Sequence, residues 1–131
     1  MSLQPEPTAV VVARAHVDAW AVRNYDQARG ALAPQVHVMV SSVDPNTPQV
    51  DTVGANDYMD GLIEFGQVVL PGTTKVISAS GDAARALLLV SSRVKFGPDA
   101  PEMTNIQARL YRLDESQKIV EERVVFFFSP E

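Results

Sequence analysis

Two segments near the C-terminal end decide the fold of this sequence. They are Met103–Leu113, with the sequence MTNIQARLYRL, and Lys118–Phe128, with the sequence KIVEERVVFFF. Both are rich in apolar, β-branched and aromatic residues, which favour strands. Only the turn Asp114–Gln117 separates them, and a connection this short joins antiparallel neighbours. The two segments therefore predict a long β-hairpin.

Three further strands are predicted upstream, from apolar residues in a two-residue period or in a continuous run. They are Val36–Ser41, Lys75–Ser80 and Arg85–Phe96. Between them, residues 41–53 carry Pro45 and Pro48 beside other turn-forming residues. We predict that this segment is a loop.

The N-terminal part of the sequence has the period of a helix. Its apolar face recurs at three- and four-residue spacing. The residues of this face are Ala9, Val10, Ala13, His16, Val17, Trp20 and Ala21. Thr8 is a plausible N-cap, and the helix should end near Asn24.

Two more helices complete the prediction. Asp26 is expected to cap a short helix at residues 27–32, which Pro34 ends. Residues 54–69 predict a longer helix, in which Tyr58, Leu62, Phe65 and Val69 share a face. Helices that precede an antiparallel sheet are typical of the α+β fold class.

Composition places the chain among ordinary globular proteins. Hydrophobic residues make up 46% and charged residues 21%, and the net charge is −5. An acidic chain without a basic stripe does not favour nucleic-acid binding. Its apolar runs have at most five residues, which is too short for a membrane span. We expect a cytoplasmic protein with a loose arm at residues 1–7 and one domain at residues 8–131. No cysteine is present, so thiolate chemistry is excluded.

Several local motifs resemble those of the NTF2-like superfamily, in particular its SnoaL-like (polyketide cyclase and ketosteroid isomerase-like) domains. Gly54 opens the third predicted helix, as it does in that superfamily. The other motifs are Ala15-His16-Val17-Asp18-Ala19-Trp20, Asn24-Tyr25-Asp26, Leu32-Ala33-Pro34-Gln35-Val36, Leu110-Tyr111-Arg112-Leu113-Asp114 and Lys118-Ile119-Val120-Glu121-Glu122. The resemblance covers nearly the whole chain. It implies a cystatin-like cone, in which N-terminal helices lie on a curved antiparallel or mixed sheet around a small pocket.

The same resemblance argues against steroid isomerisation. Its isomerases need a tyrosine, a carboxylate base and a protonated acid, and these positions fall at His16, Val40 and Arg109. None of the three carries the required residue type. The limonene epoxide hydrolase type uses two carboxylates beside an arginine, and here only Glu122 has a strand position that could face the pocket.

Strand parity leaves two orientations of Arg109 open. If Arg109 faces inward, Gln107 and Tyr111 do so as well, and Ile106, Ala108 and Leu110 form an apolar outer row. The opposite parity would give a more apolar core. The resemblance favours an inward Arg109, and the outer row, continued by Val125 and Phe127, would then need a cover such as a second subunit.

These positions give a candidate site. We predict His16 as acid or base, Arg109 as the group that stabilises oxyanion charge, and Glu122 as the group that orients Arg109 or acts as base. Further ligand-binding candidates are Trp20, Val40, Tyr58, Phe65, Ser91, Arg93, Tyr111, Val124 and Phe126. Each residue also has a purely structural interpretation. His16 would be a buried structural histidine, Arg109 and Glu122 a cross-strand ion pair, and Arg93 an exposed residue at the pocket rim. The aromatic residues would belong to the core.

Two functions therefore remain open. One is a small-molecule binder or enzyme of isomerase, lyase or hydrolase type, acting on an apolar ligand with a carbonyl or carboxylate. The other is a non-catalytic homodimeric module, joined through the outer sheet face. No metal or cofactor is expected, because the sequence has no motif for binding one.

Overall fold

The computed structural model describes residues 6–130. Three helices and six strands follow one another along the chain. They are α1 (Thr8–Ala21), α2 (Tyr25–Gly30), β1 (Leu32–Ser42), β2 (Val50–Val53), α3 (Ala55–Gly66), β3 (Lys75–Gly81), β4 (Arg85–Val94), β5 (Met103–Leu113) and β6 (Ile119–Ser129). Most of the predicted arm, residues 1–7, lies outside the described residues.

The six strands form one mixed sheet with the order β2-β1-β6-β5-β4-β3. Strands β3 to β6 are consecutive antiparallel neighbours. β1 pairs with β6 in parallel, and β2 adds to the edge of β1 as an antiparallel strand. The expected α+β fold, with helices on a mixed sheet, is confirmed.

The helices cover one face of the sheet, and the core lies between the two layers. The predicted apolar face of α1 is buried: Ala13, His16, Val17 and Trp20 are nearly inaccessible to solvent. Buried strand residues such as Leu88 pack in the same cluster. Burial of this apolar area drives the helices onto the sheet.

Some predicted boundaries are wrong. α1 begins at Thr8 itself, and Pro7 stands at the cap position without a side-chain hydrogen bond. α2 is capped by Asn24, whose side chain accepts a hydrogen bond from Gln27 N, and not by Asp26. β1 begins before Pro34 and contains it. The predicted loop at residues 41–53 includes the edge strand β2.

The parity of β4 also corrects the sequence prediction. Its buried residues are Ala86, Leu88, Val90, Ser92 and Val94. Ser91 and Arg93, predicted as ligand-binding residues and hence as facing inward, therefore lie on the opposite face of the sheet. On that face the Arg93 guanidinium donates to Thr104 Oγ1 at 2.7 Å and lies 3.9 Å from the Glu102 carboxylate.

β5 and β6 have the predicted parity. Gln107, Arg109 and Tyr111 are buried on the helix side, and so is Glu122. The opposite face carries the predicted apolar row, in which Leu110, Val125 and Phe127 are 48%, 44% and 41% exposed.

Candidate functional site

A cavity of about 320 Å³ opens between α3 and the concave face of the sheet. Its walls are mostly apolar, because β1 and β6 direct alternate residues toward α3. Five predicted ligand-binding residues line it. They are Val40, Tyr58, Phe65, Val124 and Phe126. A volume of this size holds a small organic ligand.

Three phenylalanines stand together in the wall of this cavity. The rings of Phe96 and Phe126 each meet the ring of Phe128 edge to face, with centroids 5.4 Å apart. Phe96 is 52% exposed, so the group borders the opening. Phe96 and Phe128 were not predicted as ligand-binding residues, although Phe128 follows the inward Phe126 at the two-residue period of a strand.

Arg109 forms the polar end of the cavity. Its Nη1 donates to Glu122 Oε2 at 3.1 Å, and its Nε donates to the side-chain oxygen of Gln107. Gln107 in turn donates to Asn105. The guanidinium carbon lies 5.0 Å from the centroid of the Trp20 ring, which packs behind it. This cage holds the guanidinium in one orientation.

The guanidinium keeps donors for a ligand. A guanidinium carries five N–H groups, and the hydrogen bonds to Gln107 and Glu122 use two of them. The Tyr111 hydroxyl also interacts with Arg109 and can accept a third, so at least two N–H groups remain. The remaining N–H groups belong to a side chain that lines the cavity, so an acceptor atom of a ligand can bind there.

Tyr58 lies between Glu122 and His16. The Tyr58 hydroxyl donates to Glu122 Oε1, and the hydroxyl oxygen lies 3.4 Å from His16 Nε2. On its other side, His16 Nδ1 lies 2.8 Å from the carbonyl oxygen of Ala28. A carbonyl only accepts, so Nδ1 carries the proton and donates. The single Tyr58 hydroxyl proton goes to Glu122, so the contact with the unprotonated His16 Nε2 is a packing contact and not a hydrogen bond. His16, Tyr58, Glu122 and Arg109 lie next to one another in one buried row of polar groups, defined here as the polar chain.

Burial and neighbouring charges set the proton states of the polar chain. Burial lowers the pKa of His16, although the Glu122 charge and the Ala28 carbonyl oppose this effect. Burial would also lower the pKa of Arg109, but Glu122 and the neighbouring Tyr111 and Tyr58 together outweigh it, and the pKa is raised. Burial and then Glu122 raise the pKa of Tyr58. At neutral pH the imidazole and phenol are therefore neutral and Arg109 is charged.

The predicted catalytic residues come together, but only one of the three reaches the cavity. Arg109 lines it, whereas His16 and Glu122 lie behind Tyr58 and Arg109 and are absent from its walls. The position of Tyr58 between His16 and Glu122 was not predicted, because no sequence pattern places α3 against β6. Acid–base roles for His16 and Glu122 stay predictions. Either residue would have to act on a ligand through Tyr58 or Arg109.

Other predicted ligand-binding residues lie elsewhere. Trp20 and Tyr111 are buried beside the polar chain and are not in the cavity wall. The Tyr111 ring meets His16 edge-on at 6.2 Å. Ser91 and Arg93 are on the far face of the sheet. Their predicted inward position is wrong, because the apolar run Ala86–Val90 shows no alternation from which parity could be read.

The described residues hold neither a metal-binding cluster nor a membrane-spanning helix. Residues 6–130 contain no group of three or more His, Asp or Glu side chains placed to hold a metal ion. Nor does any helix in this range have the length and apolar character needed to span a membrane.

Comparison with solved structures identifies the fold. No family model matches the sequence, and no curated protein matches it. The structure is similar to an LEH-like epoxide hydrolase from M. tuberculosis, with a TM-score of 0.68, 17% identity and coverage of 92% of this chain and 83% of that one. A protein from Shewanella denitrificans OS-217, named as a SnoaL-like polyketide cyclase, gives a TM-score of 0.72, 10% identity and coverage of 93% and 92%.

A third similar structure is a bacterial protein with a cystatin-like fold from Silicibacter pomeroyi DSS-3. It gives a TM-score of 0.71 and 17% identity, and the match covers 90% of this chain and 74% of that one. The chain therefore has the cystatin-like, or NTF2-like, fold that the sequence motifs predicted. The TM-scores establish the fold, whereas identities this low do not identify a ligand.

Proposed function

We propose that this protein binds an apolar small molecule in the cavity and holds it by a carbonyl or carboxylate oxygen at Arg109. The observation that carries the proposal is a mostly apolar cavity with a caged guanidinium in its wall. Apolar walls supply affinity, and a few fixed polar groups set the orientation, as in most small-molecule sites.

The polar chain suits acid–base chemistry of isomerase, lyase or hydrolase type. Spare N–H groups of Arg109 would stabilise negative charge that develops on a carbonyl oxygen. Tyr58 lines the cavity and would be the group that exchanges a proton with the ligand, with Glu122 and His16 as its positioning residues. Steroid isomerisation is not proposed, because Val40 lines the cavity where the resemblance places the carboxylate base.

A blocked cavity tests this proposal. Val40→Phe places a larger ring in the cavity, whereas Met39→Phe places the same ring on the opposite face of the same strand. Ligands would be found by thermal-shift screening of aromatic carbonyl compounds. We expect Val40→Phe to weaken binding at least tenfold and Met39→Phe to leave it unchanged. Equal affinity in both variants would show that the ligand binds elsewhere.

The outer sheet face favours a second candidate, a homodimeric module without catalysis. The supporting observation is the exposed row of Leu110, Val125 and Phe127, continued on β5 by the partly buried Ile106 and Ala108. Contiguous apolar patches of this kind mark association surfaces. Light scattering should give twice the monomer mass at micromolar concentration, and a monomer mass would contradict the dimer.

A further inference from the structure

We infer that the cavity selects an electrically neutral ligand, such as a ketone, ester or lactone, and discriminates against carboxylates. The inference rests on the proposed function and narrows it, because the proposal itself allows either acceptor. The structural basis is the charge already present around Arg109.

Glu122 neutralises Arg109 before any ligand arrives. The two side chains are 6% and 0% exposed, and their charged atoms lie 3.1 Å apart. A ligand carboxylate at the spare N–H groups would be a second anion on one buried cation. The buried charge of the site would then change from zero to −1, and an unpaired buried charge is costly.

No other cation offsets that cost. Among residues 6–130 the charged side chains that line the cavity are Arg109 and Asp57, and Asp57 adds a second negative charge. Within the polar chain, burial lowers the pKa of His16 and holds it neutral, although Glu122 and the Ala28 carbonyl oppose this effect. A carboxylate therefore meets one neutralised arginine and one further anion.

A carbonyl oxygen avoids this penalty. It accepts hydrogen bonds from the spare donors of Arg109 and brings no charge into the site. Its hydrogen bonds are charge-assisted, because the guanidinium is ionised, and are therefore stronger than bonds between neutral groups. The apolar walls contribute equally for a ketone and for an acid with the same ring.

Two probes with the same ring system distinguish a preference for a neutral ligand from a preference for a carboxylate. 2-Acetylnaphthalene is a neutral ketone, and 2-naphthoate is fully ionised at pH 8. Their affinities would be measured by titration calorimetry or by NMR titration. We expect the ketone to bind at least tenfold more tightly, since like charges placed side by side repel each other. Naphthoate that binds as tightly as the ketone overturns the inference and leaves the proposed function intact.

A single substitution should invert the preference. Glu122→Gln keeps the shape of the side chain and removes its charge, so Arg109 becomes an unpaired cation that favours naphthoate. Glu121→Gln is the matched control: it makes the same change one residue away, where the carboxylate faces Arg112 and Arg123 on the outer side. The control should keep the wild-type preference, and an unchanged preference in Glu122→Gln overturns the inference.

A second variant serves if Glu122→Gln does not fold. Asp57→Asn changes an exposed residue of the cavity wall, and we expect it to raise the affinity for naphthoate about two- to fivefold, as for a partly screened charge pair. No change in naphthoate affinity would contradict the charge argument. Binding of neither probe to the wild-type protein would refute the proposed function, and with it this inference.

Discussion

Replacing Arg109 by methionine tests the structural importance of the polar chain. The substitution leaves the Glu122 carboxylate buried without its cation, and it removes the guanidinium from the Trp20 ring, 5.0 Å away. Breaking a buried ion pair by removing one partner costs about 3–5 kcal/mol. For a chain of this length that corresponds to a decrease in Tm of roughly 10–20 °C, at about 3–4 °C per kcal/mol.

The matched control is Arg112→Met, which lies on the same strand and faces solvent. Its side chain is 45% exposed, and its guanidinium lies 3.8 Å from the Glu121 carboxylate, so the expected loss is below about 1 kcal/mol. The double variant Arg109→Met with Glu122→Gln should regain at least half of the stability lost by Arg109→Met, because no charge is then left unpaired. Urea unfolding of the four proteins at pH 8 measures these differences.

One outcome would refute this reasoning. If Arg109→Met loses no more stability than Arg112→Met, the buried pair of Arg109 and Glu122 does not contribute to the free energy of unfolding as argued. A double variant less stable than Arg109→Met alone would likewise show that the unpaired charge is not the source of the loss.

Three further predictions concern pH, the cavity opening and the outer face. The pKa of His16 is lowered from 6.5, so the stability that neutral His16 provides is complete above pH 6.5 and is lost as the pH falls through the lowered pKa. In His16→Gln, the urea midpoints at pH 8 and pH 5.5 should therefore differ less than in the wild type. An equal difference would contradict this prediction. Phe96→Ala should weaken binding of 2-acetylnaphthalene about two- to tenfold, as expected for one aromatic contact, whereas an unchanged titration curve would remove Phe96 from the site. Leu110→Lys places a charge in the apolar outer row and should halve the mass measured by light scattering, and a mass that does not change would argue against a dimer through this face.

The fold could be predicted because its central hairpin has local signals. The bounds of β5, Met103–Leu113, are those predicted from the sequence, since its alternation and short turn are properties of neighbouring residues. β2 was missed because Val50 and Val53 are exposed and show no alternation of buried and exposed residues. It is a strand only because it pairs with β1, and that partner lies outside its own segment.

The candidate site was only partly predictable, for a similar reason. Strand parity left two orientations open, and the family resemblance favoured the one in which Arg109 faces inward. Helix periodicity gave the buried face of His16. The contact between Tyr58 and Glu122 depends on how α3 lies against β6, which no local pattern contains. The order of groups in the polar chain, and the position of His16 behind Tyr58, therefore had to come from the structure.

A crystal structure of the protein soaked with 2-acetylnaphthalene would show directly whether a neutral ketone binds in the cavity. We expect the naphthalene ring between the apolar walls, near Phe126, with its carbonyl oxygen within hydrogen-bonding distance of the Arg109 guanidinium. A ring bound outside the cavity, or a carbonyl oxygen directed away from Arg109, would contradict it.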